Sequence, residues 1–192
     1  SERMAGPLQF GTAGLRGIVG AGETRMNRAV VGRTSAGLAA YILEQFEDAG
    51  DRGVVIGYDG RTTSEVFARD TALVLAGAGI KAWLYPIKTP TPLVAYGVNA
   101  LNAVAGVMVT ASHNPPEYNG YKVYWNDGAQ VLFPHDKGII AEVAKVQETA
   151  KVLEEKVAIE HNLLEYLDSE FDEKFFAMAM AKPEVNFEHI IL

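Results

Sequence analysis

The stretch that most constrains the fold is residues 106–125, where a polar loop joins two strand-like segments. Val104–Val109 is a short apolar run with several β-branched valines, of the kind that forms a buried strand. Tyr121–Trp125 alternates in a way that predicts a second strand, with Lys122 on the opposite face from its neighbours. The loop between them is too short for a parallel crossover, so the second strand is expected to run antiparallel.

This loop brings three reactive groups to the ends of the two strands: the Ser112 hydroxyl, the His113 imidazole and the Lys122 ammonium. Pro115 and Pro116 restrict the backbone, so the loop has few conformations to lose on binding. A Ser-His-Asn-Pro sequence is also typical of an ordinary turn. Residue chemistry alone leaves both interpretations open.

The segments upstream of the loop alternate between strand and helix patterns. Asn27 is predicted to cap a helix that runs to about Glu47, and Val54–Tyr58 has the composition of a buried strand. The further predicted elements are a helix capped by Thr63 or Ser64 and ending near Ala78, a strand at Ile80–Tyr85, and helices starting near Leu93 and Pro134. The pattern predicts an α/β fold of three α/β/α layers with a mixed, mostly parallel sheet.

Two polar segments are expected at the ligand-binding edge of this sheet. Asp59 and Arg61 follow a strand at its carboxyl end, where open α/β sheets bind ligands, and are expected to brace the Ser112 loop. The glycine-rich run Leu8–Gly22 allows tight turns and close backbone approach to a ligand. It contains Arg16, whose guanidinium suits phosphate oxygens, and Thr12, which offers a hydroxyl.

Composition excludes several classes of function. The formal net charge of −7 argues against nucleic acid or an anionic membrane as partner, so an anionic substrate must be held by local cations and N–H groups. The sequence has no cysteine, which excludes a disulfide scaffold and thiol chemistry. It has no apolar run long enough for a membrane span and no signal-peptide pattern, and a cytoplasmic location is predicted.

Two motifs in the expected order carry a family resemblance. TASHNPPEYNGYK, residues 110–122, resembles the phosphoserine loop of the α-D-phosphohexomutases, the phosphoglucomutase and phosphomannomutase family. FGTAGLRG, residues 10–17, resembles the N-terminal signature of that family. GYDGR and YKVYWNDGAQ are most similar to the phosphoglucomutase branch that grades into the phosphopentomutases.

The resemblance implies an isomerase that moves a phosphoryl group between two positions of a sugar phosphate. Ser112 would carry the phosphoryl group through a sugar bisphosphate intermediate, and a sugar bisphosphate would act as activator. The phosphate on Ser112 would ligate Mg²⁺, a cation that prefers oxygen ligands. Arg16, Lys122 and Thr12 would contact the substrate, and either Lys122 or His113 would move the proton of the attacking hydroxyl.

The resemblance covers the first of the four domains expected in this family and the linker to the second. Residues 1–150 are interpreted as that domain, and residues 151–192 as a helical linker with the first strand of a second domain. Within the linker, a helix is predicted over His161–Met180, followed by a terminal strand at Asn186–Leu192 that could pair with a second copy. The Asp-x-Asp-x-Asp-Arg metal loop of the family is absent from the sequence, so the chain alone is expected to have negligible mutase activity.

Two other classes of function remain as alternatives. A serine hydrolase would use Ser112 as nucleophile, but His113 is adjacent to it and the sequence lacks a Gly-x-Ser-x-Gly elbow. A non-catalytic module that binds phosphosugars or assembles with a partner is the stronger rival. His135, His161 and His189 have no ligand partners nearby in sequence and are expected to serve in packing or at the surface.

Overall fold

The computed structural model describes residues 2, 6, 8, 14–147 and 149–181 of the 192. These residues form a six-stranded sheet with helices on both faces. The layered arrangement is the one that the sequence predicts, but the strands at Leu15–Ile18 and Leu164–Tyr166 are not among those predicted. In chain order the elements are β1 (Leu15–Ile18), α1 (Arg28–Gln45), α2 (Ala49–Arg52), β2 (Val54–Tyr58), α3 (Ser64–Gly77), β3 (Ala82–Leu84), α4 (Thr91–Ala100), β4 (Ala105–Val109), β5 (Tyr118–Trp125), α5 (His135–Lys145), α6 (Glu155–Glu160), β6 (Leu164–Tyr166) and α7 (Ser169–Met180).

The strands follow the order β1-β5-β4-β2-β3-β6 across the sheet. Strands β4, β2, β3 and β6 are parallel to one another, and β5 is antiparallel to both β4 and β1. The mixed sheet and the antiparallel return of β5 are therefore confirmed. Parallel strands end at the same edge, so the loops that follow β2 and β4 lie side by side.

Strand β5 begins at Tyr118, three residues before the start that the sequence predicts. The additional residues pair with β1, in the register Ile18 with Tyr118 and Arg16 with Gly120. The pattern of apolar residues does not reveal this extension, because the partner strand lies in the distant glycine-rich segment.

The helices divide the apolar core between the two faces of the sheet. Helices α1 and α3 pack on one face in a large cluster of buried aliphatic residues. Helix α4 packs on the other face in a smaller cluster rich in aromatic residues, against which Phe171 and Phe175 of α7 are partly buried. Asn27 caps α1, its side-chain oxygen accepting a hydrogen bond from the Val30 N–H at 3.0 Å, as predicted.

The predicted helix over His161–Met180 is wrong in its first part. Leu164–Tyr166 forms β6, which lies parallel to β3, and helix α7 starts only at Ser169. The apolar residues of this segment suit either structure, and β3 supplies an unpaired edge that accepts a strand. Residues 151–181 thus add a strand to the sheet and are not only a helical linker, while a domain boundary at residue 150 stays a prediction.

Two further expectations can be placed on the fold. The His135 ring stacks on Trp125 with ring centroids 4.3 Å apart, and its Nδ1 lies 3.0 Å from the Tyr41 hydroxyl, as expected of a packing residue. The predicted terminal strand at Asn186–Leu192, and with it the proposed self-association, lies outside the described residues. Within the described part of the chain, none of the helices is both long and apolar enough to cross a membrane.

Candidate active site

The Ser112 loop and the Asp59 loop meet at the carboxyl edge of the sheet. Strands β2 and β4 end together, with Tyr58 opposite Val109. The Asp59 N–H then donates to the Val109 carbonyl at 3.1 Å, so the two loops leave the sheet in contact. The two loops therefore meet at the edge of the sheet where the sequence predicts them.

Ser112 has a fixed backbone and an exposed side chain. Its φ of 57° lies in the left-handed region, which residues with a Cβ rarely adopt. Its N–H donates to the Thr110 hydroxyl at 2.9 Å, and its carbonyl accepts from Arg61 Nη2 at 3.0 Å. Both backbone polar groups of Ser112 are thus held, while its hydroxyl faces solvent.

Arg61 uses every N–H of its guanidinium to hold the two loops together. A guanidinium has five N–H donors. The five acceptors are Asp59 Oδ2 (3.2 Å from Nε), the carbonyls of Pro115 and Tyr118 (2.8 and 2.9 Å from Nη1), and the carbonyls of Ser112 and Asn114 (3.0 and 2.7 Å from Nη2). The expected bracing role of Arg61 is confirmed, and no donor is left for a substrate phosphate.

Asp59 is the second member of this brace. Its Oδ2 accepts from the Thr110 hydroxyl at 2.6 Å, and its Oδ1 accepts from the Ser64 hydroxyl at 2.6 Å and the Arg61 backbone N–H at 3.1 Å. Ser64 therefore bonds Asp59, and Thr63, at the N-cap position of α3, makes no side-chain cap bond. The predicted capping by either hydroxyl is wrong, because the Ser64 hydroxyl donates to Asp59 and the Thr63 hydroxyl accepts from the Asn119 amide.

Sequence reasoning missed two residues of this network. Thr110 joins Asp59 to the N–H of Ser112, and the signal for it is its position two residues before Ser112, a spacing at which a hydroxyl accepts from the backbone. Asn119 is fully buried in β5, and its amide donates to the hydroxyls of Thr63 and Ser64 at 2.9 and 3.0 Å. A buried asparagine within an aromatic strand is the signal in that case.

Arg16 and Lys122 form a basic pair beside the loop. Arg16 lies opposite Gly120 in the β1–β5 register, so it shares a face of the sheet with Lys122, two residues further along β5. Arg16 Nη1 donates to Asn114 Oδ1 of the loop at 2.8 Å. The pKa of Lys122 is lowered, first by burial and then by the positive charge of Arg16. A lysine so perturbed gives up its proton more readily than a solvated one.

His113 stands apart from this network. Its Nδ1 lies 3.5 Å from Ser112 Oγ, too long for a well-formed hydrogen bond. In the ranges that the structure describes, no carboxylate bonds to His113. The Ser-His-acid arrangement of a serine hydrolase is therefore not formed by these residues.

The described residues do not by themselves fit a Mg²⁺ site. They contain no group of three or more His, Cys, Asp or Glu side chains that could hold a metal ion. Asp59, the carboxylate bonded to the loop, has both oxygens engaged by hydrogen bonds. Thr12 and residues 9–13 around it lie outside the described residues, so the predicted contact of Thr12 with substrate stays a prediction.

A cleft of about 440 Å³ lies beside the loop, lined by Asp59, Gly60, Arg61, Thr62, Asn114 and Pro116. A larger depression of about 930 Å³ lies between α3 and α6. Its two arginines are each paired with a carboxylate, Arg28 with Asp70 and Arg69 with Glu155. The loop cleft, with Arg16 and Lys122 nearby, is therefore the better place for an anionic substrate.

Known proteins resemble the chain in both sequence and fold. A family model described as phosphoglucomutase/phosphomannomutase, alpha/beta/alpha domain I, matches residues 7–150. A probable phosphoribomutase of Schizosaccharomyces pombe is 50% identical over 138 residues, which are 72% of this chain and 24% of the relative. A glucose 1,6-bisphosphate synthase of Mus musculus is 46% identical over 145 residues, 72% of this chain and 23% of the relative.

A solved structure from Thermus thermophilus, assigned as a phosphomannomutase, superposes with a TM-score of 0.74 at 34% identity, over 92% of this chain and 36% of that chain. The chain spans about a quarter of the length of the curated relatives it matches. The family model matches well over half of the chain. The chain belongs to the phosphoglucomutase/phosphomannomutase family, and residues 7–150 correspond to its α/β/α domain I.

Proposed function

We propose that this chain is the phosphoryl-carrying part of a phosphosugar mutase and that Ser112 is the carrier. The observation that supports this most directly is the state of Ser112, whose hydroxyl is exposed while its N–H and carbonyl are both held. A residue that donates and accepts a phosphoryl group must present its oxygen in one orientation, because the transfer needs in-line geometry.

The proposed step transfers the phosphoryl group from Ser112 to a hydroxyl of a sugar phosphate. The bond between phosphorus and Ser112 Oγ breaks as a bond forms to the sugar oxygen, and the hydroxyl proton leaves to a base. The bisphosphate then reorients and returns its other phosphoryl group to Ser112 by the reverse step. Charge on the phosphoryl oxygens must be neutralised throughout, which is the role proposed for Arg16 and Lys122.

The base is proposed to be Lys122 or His113. Burial and the charge of Arg16 both lower the pKa of Lys122, which favours it as a proton carrier. His113 is exposed and lies beside Ser112, so it can approach the reacting oxygens without any change in the sheet. Both assignments remain proposals.

The Mg²⁺ implied by the family resemblance would neutralise phosphate charge when bound. Of the residues in this chain, only the phosphate on Ser112 is proposed as a ligand, because the described side chains form no complete ligand set. The Asp-x-Asp-x-Asp-Arg sequence expected to supply the others is absent from the 192 residues. We therefore assign no step to the metal.

The proposed substrates are sugar monophosphates, with a sugar bisphosphate as the activator that loads Ser112. Relatives of the chain are named for different sugars: a phosphoribomutase, phosphopentomutases, a phosphomannomutase and a glucose 1,6-bisphosphate synthase. What these names share is the transfer of phosphate on a sugar, and this shared chemistry is what we propose for the site.

The test is phosphorylation and turnover in the full gene product. After incubation with glucose 1,6-bisphosphate and Mg²⁺, we expect a phosphate on the peptide containing Ser112 and conversion of glucose 1-phosphate or ribose 1-phosphate. Ser112→Ala should abolish both, whereas Ser169→Ala, at an exposed serine in α7, should change neither. Full turnover by Ser112→Ala would refute the proposal. The 192-residue chain alone is expected to show negligible turnover.

A non-catalytic module that binds phosphosugars is the second candidate, favoured by the incomplete metal ligand set among the described residues. Such a module needs the basic pair Arg16 and Lys122 but no phosphate on Ser112. Saturable binding of glucose 6-phosphate by the full gene product, without phosphorylation of Ser112 and without turnover, would support it over the mutase.

A further inference from the structure

Two separate chains of hydrogen bonds lead from the backbone of Ser112 to one carboxylate. In the first, the Ser112 N–H donates to the Thr110 hydroxyl, which donates to Asp59 Oδ2 at 2.6 Å. In the second, the Ser112 carbonyl accepts from Arg61, whose Nε donates to the same Asp59 oxygen at 3.2 Å. Asp59 therefore holds both sides of the residue that carries the reactive hydroxyl.

The charge of Asp59 also determines where the Arg61 guanidinium can stay. The side chains of Arg61 and Asp59 are only 13% and 24% exposed, so their attraction is weakly screened by solvent. With Asp59 ionised, Arg61 is neutralised and its four remaining N–H groups are committed to backbone carbonyls. Without that charge, Arg61 would be an unpaired cation beside a serine phosphate, to which guanidinium groups bind strongly.

We propose that Asp59 is a positioning residue for phosphoryl transfer, which fixes the backbone of Ser112 and keeps Arg61 on the loop and off the phosphate. The proposal rests on the proposed function, since it concerns the same phosphoserine. The proposal gives the two arginines near Ser112 different roles. Arg61 holds the loop, and Arg16, bonded to the loop only through Asn114 among the described residues, is left to contact phosphate.

The inference predicts a specific kinetic pattern for Asp59→Asn in the full gene product. The loop loses its fixed geometry, so kcat should fall by roughly 100-fold, as expected for a small displacement of a reacting group. The KM for the sugar phosphate should change little, because Arg16 and Lys122 remain. The phosphate on Ser112, now bound by Arg61, should be lost to water more slowly than in the wild type, as measured by mass spectrometry of the Ser112 peptide over time.

Asp70→Asn is the matched control. Asp70 forms a bidentate pair with Arg28 at 2.7 and 2.8 Å on the surface between α1 and α3, away from the loop. Its loss removes an Asp–Arg ion pair that is not bonded to the Ser112 loop, and it should leave kcat and the phosphoserine lifetime unchanged. In the double variant Asp59→Asn with Arg61→Gln, the slow loss of phosphate should disappear, since the cation that retains it is gone.

Thr110 gives an independent variant in case Asp59→Asn does not fold. Thr110→Val removes the hydroxyl of the first hydrogen-bond chain and should lower kcat, whereas Thr110→Ser keeps the hydroxyl and should restore it. An unchanged kcat in Asp59→Asn or Thr110→Val, with wild-type Ser112 phosphorylated, would overturn this inference alone. If wild-type Ser112 is never phosphorylated, the proposed function itself fails.

Discussion

The two ends of the sheet are held together in different ways. At the end formed by β4, β5 and β1, the polar groups of the loops are joined by directional hydrogen bonds that converge on Asp59 and Arg61. At the end formed by β3 and β6, a three-residue strand is followed by α7, none of whose residues is buried. There Phe171 lies in ring contact with Tyr85 and Tyr96, at centroid distances of 6.3 and 5.4 Å.

This difference agrees with the role proposed for the loop end. Hydrogen bonds specify direction, and the proposed phosphoryl transfer at Ser112 requires a single orientation of its hydroxyl. The ring contacts of the partly buried Phe171 exclude water without imposing one geometry, so α7 is expected to open at a lower free energy than the loop end of the sheet. The predictions below test this contrast, from the largest expected effect to the smallest.

Gly120→Ala should be the most damaging of the substitutions considered below. A Cβ at Gly120 would lie 2.5 Å from the Thr110 carbonyl oxygen and 2.8 Å from the Leu15 carbonyl oxygen, and neither backbone atom can move without disrupting the sheet. We expect the free energy of unfolding to fall by about 3 kcal/mol. Urea unfolding of the purified chain, followed by circular dichroism, measures this.

Gly32→Ala is the control for that substitution. Gly32 lies inside α1 with no atom near the position of an added Cβ. The change should stabilise the chain by about 0.5–1 kcal/mol, since alanine loses less conformational entropy in a helix. Equal destabilisation by Gly120→Ala and Gly32→Ala would show that close packing at the β1–β5 pair does not decide the stability of this end.

Phe171→Ala should loosen the opposite end of the sheet. Removing this partly buried ring from its contacts with Tyr85 and Tyr96 should cost about 2 kcal/mol, less than a fully buried phenylalanine. Hydrogen exchange should show faster exchange of the α7 amides with unchanged protection in β5. Phe176→Ala, at a residue that is 56% exposed, should have little effect. Loss of protection in β5 as well would contradict the contrast between the two ends.

The sequence predicts the loop end better than the opposite end, for a physical reason. The β4–loop–β5 unit is local, so its apolar pattern and the length of its loop determine the antiparallel pairing. Strand β6 depends on the free edge of β3, which is about eighty residues away in sequence. Leu163, Leu164 and Leu167 suit a helix as well as a strand, and local pattern alone cannot choose between them.

Individual hydrogen bonds of the candidate site are also hard to predict from local sequence. Asp59 and Arg61 are expected to brace the loop because they follow a strand at its carboxyl end. That Arg61 has no donor left for phosphate could not be predicted, because four of its five acceptors are backbone carbonyls. Carbonyls are present at every position, so the sequence carries no mark of which of them a side chain will bind.

Tyr121 offers a pH-dependent test of the loop end. Its hydroxyl is buried and lies 3.1 Å from Ser35 Oγ, and burial raises its pKa to about 12. An unfolded tyrosine has a pKa of about 10, so between roughly pH 10 and 12 the unfolded state loses a proton that the folded state keeps. The stability from protonated Tyr121 is thus complete below about pH 10 and is lost as the pH rises toward about 12.

Tyr121→Phe should lower the free energy of unfolding by about 1 kcal/mol at about pH 7, because the hydrogen bond to Ser35 is lost. The decline in stability above about pH 10 should become shallower, as shown by urea unfolding at about pH 7 and about pH 11. Tyr166→Phe, at the β6 end, is the comparison. Burial and the hydrogen bond to Glu155 also raise the pKa of Tyr166 to about 12, but this residue is 40% exposed and solvent screens it, so its substitution should change the alkaline slope less. An unchanged slope in Tyr121→Phe would argue against burial as the cause of the shift.

The smallest expected effect on the folded chain is a rise in the pKa of Lys122 in Arg16→Gln. Burial and the positive charge of Arg16 both lower this pKa, and the substitution removes only the second cause. The pKa should therefore move toward the ordinary lysine value without reaching it, as measured by NMR titration of the Lys122 side chain. Arg28→Gln, at a guanidinium paired with Asp70, should leave it unchanged. A pKa of Lys122 that does not rise in Arg16→Gln would mean that the charge of Arg16 is not one of the causes that lower it.

If Lys122 is the base, the fraction of the deprotonated amine must fall with Arg16→Gln, and the acid limb of the pH–rate profile must shift to higher pH.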